Sequence, residues 1–557
     1  MLKYFLARQD FRSYEDFAAH MEIRVPTDFN FGYDVVDVLA GVDPGRRALV
    51  WCDDKGGQAQ FSFAEVKRES DRAANLFRGC GVRKGDAVML VLKRRYEFWF
   101  CLLALHKLGA VAIPATHLLT RKDIAYRIKA ASIAAIVAVA DGKVAEEVDA
   151  AVDETGGRVT RVMVGGDRPG WVSYDDRVRR MPERFERPQG SQATTNRDPL
   201  LLYFTSGTTG MPKMVQHNCT YPLGHILTAR YWQNVRPGGL HLTVADTGWA
   251  KAAWGKIYGQ WLSGAAVMVY DYDRFVPRAM LDVLTGHGVT SFCAPPTVFR
   301  FLIKEDLSRY RFPALEYCTV AGEPLNPEVF QQFHKATGLA LMEGYGQTEL
   351  TVTIGTFPWL EPRPGSMGKP SPGYDIDLLD EDGHACGPGE DGQIVLRTDR
   401  HRPVGMFDGY CRDPELTRSV WHDGLYYTGD MARRDADGYY WFVGRADDLI
   451  KSSGYRIGPF EVESALLEHP AVLECAVTGV ADPDRGQVVK ATVVLARGYT
   501  GTPELATDLQ NHVRRVTAPY KYPRLIEFVD ELPKTISGKI RRVAIRSGDH
   551  RPPPPEP

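Results

Sequence analysis

The chain has 557 residues, of which 44% are hydrophobic and 25% are charged, an ordinary composition for a globular protein with a large core. Its 68 Lys and Arg nearly balance its 70 Asp and Glu, which argues against a broad binding surface for nucleic acid or for an anionic membrane. The nine cysteines include no CxxC pair, so the sequence indicates neither a disulfide framework nor a zinc site.

The chain opens with alternating short apolar runs and amphipathic stretches, a pattern typical of α/β proteins. Helices are predicted over residues 61–80, 96–108 and 121–131, and buried strands over residues 87–92, 110–114 and 133–139. Because strands and helices alternate, we expect a mostly parallel sheet with helices on both faces.

Two later changes in composition predict further units. Residues 380–392 are rich in turn-forming residues between short apolar runs, which favours a small β-rich subdomain. Beyond residue 447 the predicted elements are a helix, two strands and a second helix, at residues 459–469, 476–480, 491–495 and 503–516. We therefore predict a domain boundary near Asp447, with an N-terminal domain over residues 1–446 and a C-terminal domain over residues 447–557.

Neither a targeting segment nor a membrane span is expected. The amino terminus, MLKYFLAR, meets charged residues too soon for a secretory signal. The longest apolar runs, residues 98–105 and 133–140, fall well short of the roughly 20 residues that cross a bilayer. We predict a cytoplasmic enzyme with a small-molecule substrate, no nucleic-acid partner and no obligate protein partner.

The most informative segment is residues 203–213, YFTSGTTGMPK, which joins an apolar run to hydroxyl residues, two glycines and a lysine. Such a loop can present backbone N–H groups and hydroxyls to phosphate oxygens and add a cation. Its spacing, G-x-x-G-x-x-K, differs from that of a Walker A loop. The predicted phosphate-binding residues are Thr205, Ser206, Gly207, Thr208, Thr209, Gly210 and Lys213.

This string and five further motifs, in the same order, resemble the adenylate-forming superfamily of acyl-CoA synthetases, nonribosomal-peptide adenylation domains and luciferases. The further motifs are AGEPLNP (321–327), EGYGQTE (343–349), YTGD (427–430), GRADDLIKSSGYRI (444–457) and LPKTISGKI (532–540). The resemblance implies an α/β fold: a large N-terminal domain of two βαβ subdomains and a β-rich subdomain, followed by a small mobile α+β C-terminal domain.

The resemblance also assigns roles within these motifs. It implies that ATP or AMP is bound by the phosphate loop together with Gly322, Glu323, Pro324, Glu343, Gly344, Tyr345, Gln347, Asp430, Arg445 and Arg456. Tyr345 stacks near the adenine in this scheme, and the Asp430 carboxylate can accept both ribose hydroxyls.

The implied catalytic residues are Thr348, Glu349 and Lys539. Thr348 and Glu349 serve phosphate and Mg²⁺ in relatives, and Thr208 and Glu349 are the candidate metal ligands, because hydroxyl and carboxylate oxygens suit this ion. Lys539 bridges the substrate carboxylate and the phosphate during adenylation. Asp447 is the implied hinge of the C-terminal domain, and Gly454 lines the tunnel for the pantetheine arm of CoA, where a Cβ would narrow the channel.

Residues 244–256, VADTGWAKAAWGK, are most similar to medium-chain acyl-CoA synthetases and their acetate-activating relatives. Trp249, Trp254 and Gly346 are the expected acyl-pocket residues. Acetyl-CoA synthetases carry a tryptophan at the position of Gly346, so its absence favours an acid larger than acetate. Either tryptophan can refill that space and give a short or branched specificity, and Trp254 is equally compatible with core packing.

Three polar residues near these motifs have no predicted catalytic role. Lys251 and Lys256 are expected to be solvated, and His217 is expected to be structural.

Together these features predict an AMP-forming acyl-CoA synthetase, an acid–thiol ligase that uses ATP, CoA and Mg²⁺. The predicted reaction converts a short-to-medium-chain or branched fatty acid, through an acyl-adenylate, to acyl-CoA, AMP and pyrophosphate. The alternatives are a CoA ligase for benzoate or a cyclic acid, a freestanding adenylation enzyme that loads a carrier protein, and a luciferase-like oxygenase.

Overall fold

The computed structural model describes residues 1–205, 212–453, 455–535 and 539–548. Within these residues the strands form three sheets. The largest has fourteen strands, which in spatial order are Asp375–Leu379, Asp391–Arg397, Leu425–Arg434, Tyr440–Arg445, Ser366–Pro370, Ile354–Gly355, Leu341–Tyr345, Tyr317–Ala321, Ser291–Ala294, Leu240–Thr243, Ala266–Asp271, Arg47–Asp53 and Gln58–Ser62, with Trp421–His422 paired to Leu425–Arg434.

The second sheet has eight strands and carries the phosphate motif at one end. Its spatial order is Gly409–Tyr410, Lys213–Asn218, Pro199–Thr205, Val111–Pro114, Ala87–Val91, Ile133–Val139, Thr160–Val164 and Val172–Ser173. The third sheet belongs to the C-terminal part of the chain: Tyr455–Ile457, Ile450–Ser452, Gly486–Leu495 and Val472–Asp482, with Leu525–Phe528 paired to Gly486–Leu495.

Helices connect these strands. The α-helices are Tyr14–His20, Val38–Val42, Phe63–Gly79, Glu97–Leu108, Arg121–Ala131, Val144–Thr155, Tyr174–Val178, Tyr221–Ile226, Ala250–Lys256, Gly259–Leu262, Pro277–Gly286, Pro296–Leu302, Pro327–Thr337, Pro414–Val420, Pro459–Leu467, Pro503–Val516 and Arg542–Arg546, and the π-helices are Gly32–Asp37 and Leu227–Trp232. Within the described ranges, none of the helices combines the length and the apolar character that crossing a membrane requires.

Local sequence explains where the early helices begin and end. A capping box between Ser62 and Glu65 starts the helix Phe63–Gly79, and a second between Thr120 and Asp123 starts Arg121–Ala131. Glu97–Leu108 is buried along its whole length and ends at Gly109, whose φ of 72° suits a glycine.

The predicted α/β class is confirmed. The five strands from Val111–Pro114 to Val172–Ser173 in the second sheet are all parallel, and so is the run from Arg47–Asp53 to Leu341–Tyr345 in the largest sheet. These are the two βαβ subdomains. At one edge Gln58–Ser62 pairs antiparallel with Arg47–Asp53. At the other end of the sheet the strands beyond Leu341–Tyr345 pair antiparallel and form the β-rich subdomain.

The C-terminal part builds a core of its own. Val472–Asp482 and Gly486–Leu495 form a long antiparallel hairpin, and both strands are longer than predicted because they pair over their whole length. Helices Pro459–Leu467 and Pro503–Val516 pack on it and supply Val462, Leu466, Leu509 and Val513 to a separate hydrophobic cluster. This part also contacts the preceding chain: the Asn326 side-chain amide donates to the Ser464 carbonyl at 3.1 Å.

Candidate active site

The two motifs expected to border the adenine, AGEP and EGYGQTE, lie at the carboxyl ends of two neighbouring strands of the largest sheet. The parallel strands Tyr317–Ala321 and Leu341–Tyr345 are neighbours. The AGEP motif starts at the last residue of the first strand and EGYGQTE starts within the second, so the two motifs meet at the carboxyl ends of these strands. Gly322 turns the chain away with a φ of 106°, a backbone conformation that favours glycine. Glu323 is held by the Thr297 hydroxyl at 2.8 Å, and Pro324 follows it in the same turn.

Glu343 is a buried acid in the second of these strands, Leu341–Tyr345. Its Oε1 accepts the backbone N–H of Leu325 at 3.2 Å, but burial dominates and raises the pKa of Glu343 to about 8. Gly344 follows it, and a Cβ there would lie 2.4 Å from the Trp232 ring, so only glycine admits this indole.

Asp430 is the centre of a hydrogen-bonded network. Its Oδ2 accepts the Tyr345 hydroxyl at 2.7 Å and the Gln347 amide at 2.6 Å. Gln347 is itself held by its second amide contact, to the Thr428 carbonyl at 2.8 Å, and by the Tyr426 hydroxyl at 2.9 Å. Burial raises the pKa of Asp430, while the hydrogen bond from Tyr345 opposes that shift. The YTGD and GYGQT motifs therefore form one unit with a carboxylate at its centre.

The phosphate motif connects two antiparallel strands. Thr205 ends the strand Pro199–Thr205, Lys213 begins Lys213–Asn218, and the two residues face each other in the ladder. The predicted residues Ser206, Gly207, Thr208, Thr209 and Gly210 lie outside the described residues. The two ends of the loop are thus fixed by the sheet.

Glu349 and Lys213 both contact Tyr410, a residue that the sequence analysis does not identify. The Tyr410 hydroxyl donates to Glu349 Oε1 at 2.8 Å, and the Lys213 Nζ lies 5.3 Å from the centroid of the Tyr410 ring. Burial raises the pKa of Glu349, against the hydrogen bond from Tyr410 and the charge of Lys213. The sequence around Tyr410, DGYCRDP, offers no spacing signal, because the contact depends on strand pairing.

Thr348 is held by His217. His217 Nε2 lies 2.8 Å from the Thr348 carbonyl oxygen, which can only accept, so Nε2 carries the hydrogen. Burial lowers the pKa of His217 to about 3, so the ring is neutral at physiological pH. Strand alternation places His217 on the same face as Lys213, a signal that was available in the sequence.

The C-terminal motifs divide between this site and the surface. The charge of Lys539 opposes the effect of burial on the pKa of Asp430. Arg445 Nε donates to Asp447 Oδ1 at 3.1 Å, and its charge also reaches Asp430.

Arg456 lies apart from this group. It forms an ion pair with Glu381 at 2.5 Å, on an exposed turn of the β-rich subdomain. Gly454, the predicted tunnel residue, is outside the described residues.

Two indoles pack at the position expected for the acyl wall. Trp254 meets Trp232 edge to face, with ring centroids 6.0 Å apart. A Cβ on Gly346 would lie 2.5 Å from the Trp254 ring and 2.3 Å from the Thr351 carbonyl oxygen. Trp254 thus occupies the space beside Gly346, and its place in the hydrophobic core is compatible with both alternatives, refilling of the acyl pocket and core packing. Trp249 is half-buried just before the helix Ala250–Lys256.

The expectation that Lys256 is solvated is wrong. Its side chain is buried and Nζ donates to the Ala245 carbonyl at 2.7 Å, with burial lowering the pKa of Lys256 to about 7. Lys251 is also drawn inward: its Nζ donates to the Ala321 carbonyl, and burial lowers its pKa, as does the charge of Lys539. An apolar stretch of sequence cannot reveal such internal carbonyl partners.

Comparison with known families agrees with this geometry. The AMP-binding enzyme family matches residues 37–411, and the AMP-binding enzyme C-terminal domain matches residues 461–539. The acyl-coenzyme A synthetase ACSM4, mitochondrial, of Rattus norvegicus is 44% identical over 544 residues, covering 96% of this chain and 93% of its own. The acyl-coenzyme A synthetase ACSM5, mitochondrial, of Homo sapiens is 43% identical over 533 residues, covering 94% and 91%.

Solved structures share the whole architecture. The anthranilate CoA ligase AuaEII in complex with anthranoyl-AMP superposes with a TM-score of 0.85 at 29% identity, covering 94% of this chain and 98% of its own. An acyl-CoA synthetase of Brucella canis gives a TM-score of 0.71 at 34% identity, covering 94% of each chain. The predicted fold class, ligase class and superfamily are confirmed, and the chain belongs to the AMP-binding enzyme family, among the acyl-coenzyme A synthetases.

Proposed function

We propose that the protein activates a short-to-medium-chain or branched aliphatic acid by AMP-forming ligation to CoA. The carboxylate oxygen attacks the α-phosphorus of ATP and pyrophosphate leaves, which gives an acyl-adenylate. The CoA sulfur then attacks the acyl carbon and AMP leaves. The observation that carries this proposal is the hydrogen-bonded network around Asp430, because it fixes a buried carboxylate that can accept the ribose hydroxyls.

The nucleotide roles follow from the positions of the polar groups. The Asp430 carboxylate can accept the two ribose hydroxyls, and Tyr345 and Gln347 keep it oriented. Gly322, Glu323 and Pro324 border the adenine side. Lys213 sits at the end of the phosphate loop, where an ammonium neutralises phosphate charge.

The residues present fit a magnesium ion. Tyr410 occupies one lone pair of Glu349 Oε1, which leaves other carboxylate lone pairs available to a hard, oxygen-preferring cation. We propose that Glu349 and Thr208 hold Mg²⁺, which neutralises phosphate charge when bound, and that Thr348 contacts phosphate beside them. Glu349 must be ionised for this role, and the nearby Lys213 favours the ionised form.

Lys539 supplies the remaining positive charge for adenylation. An ammonium beside the entering carboxylate and the α-phosphate stabilises charge that builds in the transition state, an effect of about 10²–10⁴ in rate. Pyrophosphate must leave before the thiol enters. We propose that the domain of residues 447–557 then rotates about Asp447, which withdraws Lys539 and brings Gly454 to the pantetheine arm.

The nature of the acid is inferred from the Trp232–Trp254–Gly346 wall and from the relatives. Identity of 43–44% to acyl-coenzyme A synthetases exceeds the 29% identity to the anthranilate CoA ligase, which favours an aliphatic over an aromatic acid. The Trp254→Ala variant tests this wall. It is expected to move the preference toward longer acids, because the vacated volume admits several methylenes at about 0.8 kcal/mol each. An unchanged profile would remove Trp254 from the pocket.

The decisive experiment measures pyrophosphate release across acids from acetate to octanoate, with 2-methylbutyrate and benzoate, each with and without CoA. CoA-dependent turnover that peaks on a short, medium or branched acid is expected. Turnover confined to benzoate would favour an aromatic-acid ligase. Adenylation that CoA does not accelerate would point to a carrier protein as acceptor.

The compartment is proposed separately. The rat and human relatives are named as mitochondrial proteins. For this chain the cytoplasm stays the proposed compartment. Fractionation of native cells tests it, and recovery in an organelle fraction would contradict it.

A further inference from the structure

Tyr410 stands beside the phosphate-binding strand without a role in any of the motifs. It lies on the short strand Gly409–Tyr410, which pairs antiparallel with Lys213–Asn218 and places Tyr410 opposite Val215. Residues directly opposite in a ladder point to the same face, and so do Lys213 and Val215, two positions apart. Strand pairing therefore brings Tyr410 diagonally across from Lys213.

The Tyr410 side chain contacts two proposed phosphate-site residues at once. Its hydroxyl donates to Glu349 Oε1 at 2.8 Å, and its ring lies 5.3 Å from the Lys213 Nζ. Because a carboxylate oxygen accepts hydrogen bonds, the Tyr410 hydroxyl is the donor in this contact. One residue thus links the carboxylate and the ammonium by different parts of its side chain.

The segment around Tyr410 is itself fixed. The Tyr410 backbone N–H donates to Thr417 Oγ1 at 2.9 Å, and the Phe407 N–H donates to the Glu349 carbonyl at 2.8 Å. The Phe407 and Tyr410 rings pack edge to face, 5.3 Å apart. Both the backbone and the carboxylate of Glu349 are therefore held by residues 407–410.

We propose that Tyr410 is a positioning residue that orients Glu349 for Mg²⁺·ATP and keeps the Lys213 ammonium beside it. This rests on the proposed function of Glu349 as a metal ligand. A carboxylate ligand held by an outer hydrogen bond keeps one orientation, and loss of such a partner typically weakens metal affinity about 10- to 100-fold. The aromatic face adds a weaker attraction for the ammonium.

Two variants separate the hydroxyl from the ring. Tyr410→Phe removes the hydrogen bond to Glu349 and keeps the ring over Lys213, whereas Tyr410→Leu removes both. Tyr439→Phe is the matched control, because this buried tyrosine donates to the Glu361 carbonyl at 3.0 Å, away from Glu349. All three are made in the full chain and compared with it in thermal unfolding.

The readouts are pyrophosphate release against free Mg²⁺ and calorimetric binding of ATP at several Mg²⁺ concentrations. Tyr410→Phe is expected to raise the half-saturating Mg²⁺ concentration about tenfold and to unfold at the same temperature as Tyr439→Phe. Tyr410→Leu is expected to weaken ATP binding a further three- to fivefold or so. A Mg²⁺ dependence of Tyr410→Phe equal to that of Tyr439→Phe would overturn the proposal.

Glu349→Gln distinguishes failure of this inference from failure of the proposed metal site. If Glu349→Gln loses Mg²⁺-dependent ATP binding while Tyr410→Phe keeps it, only the role of Tyr410 is wrong. If Glu349→Gln retains the wild-type Mg²⁺ dependence, Glu349 is not the ligand and both proposals fall.

Discussion

Asp430, which is proposed to bind the ribose, and Lys539 differ in burial and in the hydrogen bonds that hold them. Asp430 is buried, and its hydrogen-bond partners Tyr345 and Gln347 come from the same large domain. Lys539 is exposed, and the backbone hydrogen bonds described for it pair with Thr535, four residues away. The carboxylate proposed to bind ribose is therefore fixed by its neighbours, whereas the charge proposed for catalysis is exposed on the C-terminal part of the chain.

Replacing the movable charge should have the largest effect. Lys539→Ala is expected to reduce acid-dependent pyrophosphate release by about 10²–10⁴, because the cation proposed to lie beside the entering carboxylate and the α-phosphate is then lost. Thioester formation from supplied acyl-adenylate should continue, since that step is proposed to occur after Lys539 has withdrawn. Lys534→Ala, in the same loop but paired with Glu474 at 2.8 Å, is the control. An equal loss of both half-reactions in Lys539→Ala would contradict the assigned role.

Removing one of the hydrogen bonds that hold Asp430 should have an intermediate effect. Tyr345→Phe removes a hydrogen bond to the Asp430 carboxylate, and such bonds contribute about 1.5–3 kcal/mol. We expect the KM for ATP to rise about tenfold while kcat changes little, measured by pyrophosphate release. A fall in kcat at unchanged KM would mean that Tyr345 acts in the chemical step instead of in binding.

Removing the ion pairs that join Glu381 of the β-rich subdomain to Lys451 and Arg456 should have the smallest effect. Glu381 pairs with Lys451 at 3.2 Å and with Arg456 at 2.5 Å, and it is 59% exposed, so solvent screens both ion pairs and leaves them weak. Glu381→Ala is expected to slow adenylation two- to fivefold or so and to speed thioester formation from supplied acyl-adenylate. High salt should erase the difference. Asp382→Ala, on the same turn, is the control. An identical effect of Asp382→Ala would mean that Glu381→Ala acts through the net charge of the turn and not through its ion pairs.

Sequence predicted the elements well where local signals act. The helix Arg121–Ala131 and the strand Ile133–Val139 match the predicted residues, because a capping box and a continuous apolar run define them. The prediction began the helix Phe63–Gly79 two residues early, because Ser62 serves as its cap. The sequence predicts the two C-terminal strands too short, since their outer residues are held in the strands by pairing with each other along the whole hairpin.

The candidate site was predictable as a set of motifs and not as a set of contacts. The motifs name Asp430 and Glu349, but Tyr410 joins Glu349 from 61 positions away along the chain. The same holds for Arg456, which pairs with an acid 75 positions earlier, and for Lys256, whose burial depends on a backbone carbonyl. Contacts of this kind are created by the packing of distant strands, on which local pattern carries no information.

The packing of Trp254 against Gly346 has a consequence for how this enzyme can change its acid. A side chain at position 346 collides with the indole and with the Thr351 carbonyl, so that position cannot be enlarged alone. Removing the indole alone leaves a hole in a close-packed wall. A larger side chain at position 346 therefore requires a second substitution at position 254, and a double-mutant cycle across positions 254 and 346 should be strongly non-additive.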